Sequence, residues 1–323
     1  MIVVKNHIEF PKLKLGVSQC LLGEKVRFDG GHKRFNFVVN ELQPFVDFIS
    51  VCPEVGAGLG IPRPPIQLNK SSGNIRIVEI KNKDNDVTDA LKAYSNQVVG
   101  TFSELHGFIV KSKSPSCGLE RVNIMNAKGQ YEKKGVGIFT KELMERYPNL
   151  PIEEEGRLND AAIRENFITR IYAYQRWHQF LEDTPSLSTL IEFHQNHKLL
   201  LMAHNVNAYR RLGRLVAETT LGNLQQNIIQ YINEFMGALR FKATLKKHTN
   251  VLQHLTGYLK KESSKADKQE LVEIIEQYRL GLIPLIVPMT LLKHYFRIHP
   301  NEYIANQVYL NPHPHELMLR NHV

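Results

Sequence analysis

An α/β unit built on a mainly parallel sheet with flanking helices, followed by an all-α unit, is the fold class this sequence predicts. Through the first half, short β-rich runs alternate with helical patterns, the signature of strands and helices layered on one sheet. From Asn159 onward one helical period follows another. A segment carrying Pro185 and capping serines, Glu182–Ser188, interrupts that helical half. The expected organisation is an α/β domain at 1–165, a connecting helix and linker at 166–188, and a helical domain at 189–323.

The strands of the first half are expected at Lys14–Val17, Asp47–Cys52, Ile75–Glu79 and Gly107–Val110. Each is short, β-branched or aromatic, and bounded by turn-forming residues. Helices are expected at Arg34–Gln43, Val87–Glu104 and Thr140–Tyr147. The middle one has Asp86 or Thr88 as its N-cap and repeats apolar residues at Ala90, Leu91, Tyr94, Val98 and Phe102. Lys70–Gly73 and Asn82–Asp86 read as turns. In the second half, Ile163, Phe167, Ile171, Tyr174, Trp177 and Leu181 keep helical spacing. Further helices follow at Thr189–His204, Ala208–Glu218, Asn223–Phe241, Lys247–Lys260 and Gln269–Leu280, with a charged turn at Lys261–Lys268 and a proline-punctuated end.

With 323 residues, 42% of them hydrophobic, the chain can bury one large or two ordinary cores. Three cysteines cannot pair evenly and are too few for a disulfide scaffold, so a reducing, cytoplasmic setting is expected. The opening residues lack the apolar core of a secretory signal. The longest apolar run, Leu282–Leu292, is broken by two prolines and falls short of the ~20 residues that span a bilayer. The formal charge of +9 is unevenly spread: from Asn166 onward 18 Lys+Arg face 12 Asp+Glu, against 23 and 20 before it. Eleven of the 14 histidines also lie in that second part. An anionic partner for the helical half is the expectation.

Each cysteine follows a strand-like run and opens a glycine- or proline-rich loop: LKLGVSQC ends at Cys20, FVDFISVC at Cys52 and GFIVKSKSPSC at Cys117. Loops leaving the carboxyl ends of parallel strands converge on one crevice. Three thiolates there are one short of a closed four-cysteine site and leave a metal position open. Alone, each cysteine reads first as a small buried apolar side chain; all three at strand ends, with none elsewhere, point to a shared metal site. Small residues surround Cys117, which lets backbone N–H groups approach an anionic ligand. Glu54 reads either as a loop carboxylate satisfied by backbone or as an acid–base group. Asp29 is a turn residue or a substrate contact; Arg63 and Lys111 are surface ion-pair partners or substrate contacts.

VSQCLLG with RFDG, VCPEVGAGLGIPRPP, and KSKSPSCG with KGVGIF resemble the thiouracil desulfidase family over about Lys14 to Ala161. HKLLLMAHNVNAYRRLGRLVA, HTNVLQHLTGYLKK, YRLGLIPLIVPMTLLKHY and YLNPHPHELMLRN resemble the YbgA-like helical family over about Glu192 to Asn321. The first resemblance implies a [4Fe-4S] cluster held by Cys20, Cys52 and Cys117, with a fourth iron open to a thiocarbonyl sulfur. It implies catalytic roles for Glu54 and for a serine that maps by position to Ser114, with Ser112 and Ser116 close by as candidate substrate contacts. A soft iron suits a soft sulfur, and metal binding makes the ring carbon electrophilic. Glu54 would then be the general base for water, and sulfur would leave as hydrogen sulfide without net redox change.

In the helical half, Arg210, Arg211 and Arg214, and Lys242, Lys246 and Lys247, form basic patches with aromatic neighbours. A solvated face or an RNA-binding surface accounts for them, and the histidines match no zinc signature. The reading is a desulfidase acting on a thiolated uracil, foremost 4-thiouridine in tRNA, with the base extruded into the pocket. A non-catalytic nucleic-acid-binding or redox-sensing protein, and a three-cysteine zinc hydrolase, are the alternatives.

Overall fold

The computed structural model describes residues 9–71, 73–260 and 262–322. They divide after Asp160 into two compact units, the second beginning at Ala161.

Four parallel strands form the central sheet of the first unit: β1 (Leu13–Ser18), β2 (Val46–Val51), β5 (Gly107–Val110) and β8 (Ile152–Glu154), ordered β2-β1-β5-β8. Leu13, Leu15 and Val17 of β1 are fully buried, as is the whole of β5 apart from traces at its start. Strands covered on both faces read as continuous apolar runs, and GFIV is one. The step from β1 to β2 includes a short widened helix, Phe37–Leu42, and a tight turn, Gln43–Phe45. The helix expected at Arg34–Gln43 is thus present but shorter and irregular, and Pro44 lies in the tight turn that follows it.

A second sheet, ordered β4-β3-β6-β7, was not legible beyond one strand. The expected strand at Ile75–Glu79 is β4 (Asn74–Glu79), and it pairs antiparallel with β3 (Ile66–Ser71) rather than joining the parallel sheet. Of the turn expected at Lys70–Gly73, Lys70 and Ser71 belong instead to β3, paired with Ile75 and Asn74, and Ser72 lies outside the described residues. β6 (Val122–Met125) runs parallel to β3 and antiparallel to β7 (Tyr131–Gly135). Tyr131–Gly135 reads YEKKG, too polar to announce a strand. The turn at Asn82–Asp86 is closed by a hydrogen bond from Asn85 N–H to the Asn82 carbonyl.

α1 (Pro53–Gly56) is a single turn opened by Cys52. α2 (Thr88–Val99) starts where Asp86 accepts the Thr88 N–H at 2.9 Å and stops at Gly100, five residues before the expected end. Phe102 beyond it is buried all the same, so its periodic spacing belonged to core packing rather than to helix. α3 (Ile138–Arg146) matches the expected third helix with earlier ends.

The second unit is helical throughout: α4 (Ala161–Glu182), α5 (Leu187–His204), α6 (Val206–Ala217), α7 (Leu224–Leu239), α8 (Leu245–Tyr258), α9 (Lys265–Arg279), α10 (Ile286–Ile298) and α11 (Glu302–Ala305). Its centre is aromatic. Trp177 of α4 stacks on Tyr231 of α7 at 5.6 Å, and Phe193 of α5 meets Phe235 of α7 edge-on at 5.5 Å. The segment Glu182–Ser188 ends α4 and supplies Ser186, whose hydroxyl and Thr189 make a reciprocal capping box on α5. Of the charged turn expected at Lys261–Lys268, Lys261 lies outside the described residues and Lys265–Lys268 is instead the first turn of α9, capped by Ser264. Pro288 sits in the first turn of α10, where its missing N–H does no harm. No helix among the described residues is long and apolar enough to cross a membrane.

Gly16 of β1 lies flat against the Phe108 ring of β5, and an added Cβ would overlap that ring. Gly16→Ala is expected to lower stability by about 1–3 kcal/mol. The check is a reduced urea midpoint at unchanged slope.

Candidate active site

The sheet order makes the three cysteine-bearing strands neighbours, and because all run parallel their carboxyl ends share one edge. Cys20 lies two residues past β1, Cys52 directly after β2, and Cys117 seven residues past β5. All three are unpaired thiols and all three line one cavity of about 610 Å³. Glu54, Arg63, Lys111, Ser112 and Ser114 line it too. Asp29 and Ser116 do not. Asp29 turns back to accept the Gly31 N–H at 3.0 Å, which holds its carboxyl below the usual carboxylate range. Ser116 is fully buried behind the wall.

The Cys117 loop is clamped from two sides. Ser114 Oγ accepts the N–H groups of Ser116 (3.2 Å) and Cys117 (3.1 Å), closing a tight turn from within. From outside, the start of α3 donates into the loop: Ile138 N–H to the Pro115 carbonyl and Phe139 N–H to the Ser116 carbonyl, at 3.2 and 3.0 Å. The Thr140 hydroxyl donates to the Cys117 carbonyl at 2.6 Å. A Cβ on Gly137 would come within 2.5 Å of the Ser116 carbonyl group, so only glycine admits this approach. That is the local reason for the KGVGIF motif.

Glu54 is fixed by two partners. Arg63 donates Nε and Nη2 to Oε2 at 2.9 and 2.6 Å, and the Ser116 hydroxyl donates to Oε1 at 2.9 Å. Arg63 is itself anchored by donating Nη1 to the carbonyls of Val26 and Gly60. With side chains 4% and 13% exposed, this is a buried, hydrogen-bonded ion pair, in which loss of one partner strands the other charge. Lys111 forms a second such group. Its ammonium pairs with Glu155 and donates to Ser112 Oγ at 2.9 Å, while Glu155 also accepts the Ser112 N–H at 2.6 Å.

Burial, reinforced by the neighbouring Cys52, pushes the Cys20 thiol up to about 11. Burial also raises Cys52, and raises Cys117 well above an ordinary thiol, with Glu54 adding to the latter. Three protonated thiols around one cavity form a soft donor set whose ligation of any metal must release protons. Among the described residues, no three His, Cys, Asp or Glu side chains crowd together closely enough to hold a single metal ion. The three thiols stand instead around the open volume of the cavity.

Sequence reasoning overlooked Glu155 and Ser18. Ser18 accepts the Lys111 N–H at 2.9 Å, tying β1 to the loop after β5. The readable signal was the run Glu153–Glu155, two carboxylates within the short strand β8 and a third just past it; Glu153 and Glu154 are buried, and burial raises Glu154. In the helical unit Arg210, Arg214, Lys242 and Lys246 are exposed. Arg211 pairs with Glu234, and Lys247 donates to the His204 carbonyl at 2.6 Å, so these two have structural partners. His194, His197, His204 and His248 are buried.

The parallel sheet thus delivers three free thiols and a clamped carboxylate to one cavity. Residues 15–155 match the family model described as 2-thiouracil desulfurase, and residues 198–314 match one described as a protein of unknown function, DUF1722. An uncharacterised protein of Escherichia coli K12, YbgA, is 31% identical over 157 residues, covering 47% of this chain and 91% of the relative. Among solved structures, a [4Fe-4S]-dependent thiouracil desulfidase, TudS, is similar at 28% identity over 49% of this chain and 100% of its own, with a TM-score of 0.38. The chain belongs to the YbgA-like family and is a fusion, a thiouracil desulfidase-like α/β unit followed by a YbgA-like helical unit.

In metal-free protein, iodoacetamide is expected to label Cys20 more slowly than free cysteine at pH 8, with the rate climbing as pH approaches 11. Mass spectrometry of timed samples checks it. Labelling of Cys20 as fast as free cysteine would contradict the buried, protonated thiol.

Proposed function

We propose that the α/β unit removes sulfur from a thiolated uracil, foremost 4-thiouridine in tRNA, releasing hydrogen sulfide and leaving the oxo base, and that the helical unit aids RNA binding. The observation that carries this reading is the meeting of Cys20, Cys52 and Cys117 with Glu54 on one cavity wall. The match of residues 15–155 to the desulfurase model supports the substrate class.

Cys20, Cys52 and Cys117 would hold a [4Fe-4S] cluster, which supplies a thiophilic Lewis acid for the thiocarbonyl sulfur. The remaining work falls to protein groups. Glu54, its carboxylate plane set by Arg63 and Ser116, is positioned to take a proton from the water that attacks the ring carbon. Ser114 already accepts two backbone N–H groups, which leaves its own O–H to donate toward the cavity, to a ring atom or a departing proton acceptor. Arg63 and Ser116 act through Glu54 and are positioning residues. Lys111, held by Glu155, places a cation on the wall where an anionic portion of a nucleotide would be stabilised. In the helical unit the exposed Arg210, Arg214, Lys242 and Lys246 suit phosphate contacts, and the basic excess of that half agrees with them.

Anaerobic purification should yield protein carrying iron and acid-labile sulfide, lost together when Cys20, Cys52 or Cys117 is replaced by Ser. Glu54→Gln should retain both and lower the sulfide-release rate by about a hundredfold or more, in the range of general-base catalysis. Zinc without sulfide would end the cluster reading, and an unchanged rate in Glu54→Gln would remove the base.

Desulfuration of 4-thiouridine in tRNA should fall steeply between about 50 and 200 mM salt, as phosphate contacts require. Reaction of the free nucleoside should be much less sensitive. A fourfold variant, Arg210, Arg214, Lys242 and Lys246 each to Gln, should flatten the salt slope without changing the rate on the nucleoside. An undiminished slope would end the RNA-binding role given to these residues.

A further inference from the structure

The helical unit encloses a cavity of about 250 Å³ of its own, unconnected with any role assigned above. Arg320 reaches it from the segment beyond α11 and is only 6% exposed. Its guanidinium covers the Tyr309 ring at 5.2 Å, donates Nε to Glu165 Oε1 of α4 at 3.0 Å, and donates Nη1 to the Tyr309 carbonyl at 2.8 Å. His204 of α5 donates Nδ1–H to the Phe241 carbonyl at 2.7 Å. His248 of α8 shares a 2.8 Å hydrogen bond through Nδ1 with the Tyr309 hydroxyl. Both rings are buried, and both line the cavity beside Arg320 and Tyr278.

These contacts use one side of each group. Arg320 Nη2, His204 Nε2, His248 Nε2 and the Tyr278 hydroxyl make no hydrogen bond to the described residues, yet none is among the fully enclosed orphan atoms of the protein. They therefore open onto the cavity. Four polar atoms lining one cavity on otherwise buried side chains are costly to leave unsatisfied, and they suit a ligand. Burial pushes His204 down to about 4 and His248 well below the ordinary histidine value, and the positive field of Arg320 and Lys247 acts in the same direction. Glu165 is the one carboxylate among the described lining residues; its Oε1 is engaged by Arg320 and its Oε2 faces the His322 ring at 3.8 Å. The surroundings favour an anion.

The tautomer of His204 narrows the class. With Nδ1–H committed to a carbonyl, its neutral ring presents Nε2 as an acceptor. An ionised carboxylate or a sulfate only accepts, and would leave that nitrogen without a donor. A singly protonated phosphate offers oxygens to Arg320 and Tyr278 and a P–OH to His204. We propose that this cavity is a second ligand site that takes a phosphate group, either inorganic phosphate or a small phosphate monoester, received by Arg320, Tyr278, His204 and His248. The site is independent of the desulfidase reading.

Titration calorimetry of the full chain at constant ionic strength tests it, with inorganic phosphate, ribose 5-phosphate and sulfate as separate arms. Saturable binding of a phosphate ligand is expected, with sulfate at least about tenfold weaker. His204→Gln and Tyr278→Phe should each weaken phosphate binding about tenfold. Binding of ribose 5-phosphate assigns the monoester, and binding of inorganic phosphate alone assigns the free ion. No saturable binding in either phosphate arm, sulfate binding equal to phosphate, or undiminished affinity in both folded variants would overturn the proposal. Should either substitution unfold the chain, the His204 Cε1–H proton resonance of the unaltered protein decides. It must shift as phosphate is added, and an unmoved resonance overturns the site.

Discussion

Parallel pairing of β1 with β2 and with β5 is the constraint on which the first unit depends. Reversing any one of these strands would send its cysteine loop to the opposite end of the sheet. The register Leu13↔Val46 and Leu15↔Gly107 also sets the heights at which the three loops leave. Gly16 lets β1 and β5 close on each other at Phe108, and Ser18 then holds the start of the next loop through the Lys111 N–H. Packing of the strands and placement of the thiols are in this sense one event.

Around that frame, the charged groups are held more firmly than surface ion pairs would be. Glu54 and Lys111 each meet a buried or half-buried counter-charge and a serine hydroxyl. Such pairs contribute little net stability after desolvation, but they fix orientation, because breaking one leaves an uncompensated buried charge. Under the desulfidase reading this rigidity has a purpose. A base that wandered by an ångström would lose the alignment on which its contribution rests.

The helical unit is organised differently. Its aromatic centre, built by Trp177, Phe193, Tyr231 and Phe235, is separate from the polar group gathered by Glu165, His204, His248, Tyr278 and Arg320. The residues that match DUF1722, 198–314, hold only part of that group, since Glu165 and Arg320 lie on either side of them. The cavity is therefore a property of the whole unit from Ala161 onward.

Strand-like runs each leading into a cysteine and the helical period of the second half carried the α/β-then-helical order, and the three cysteine loops with their family resemblance carried the candidate ligand set. These are local signals: burial on both faces makes a strand uniformly apolar, and a close backbone approach demands glycine. The sheet of β3, β4, β6 and β7 was largely hidden, because strands such as Tyr131–Gly135 are stabilised by partners rather than by their own composition. Whether a serine faces the cavity or backs the carboxylate could not be read from SPSC, where Ser114 and Ser116 look alike; the turn closed by Ser114 and the burial of Ser116 decided it. Glu155 and Arg320 became meaningful only when folding set them beside Lys111 and Glu165, since an ion pair across 44 or 155 residues leaves no periodic trace in the chain.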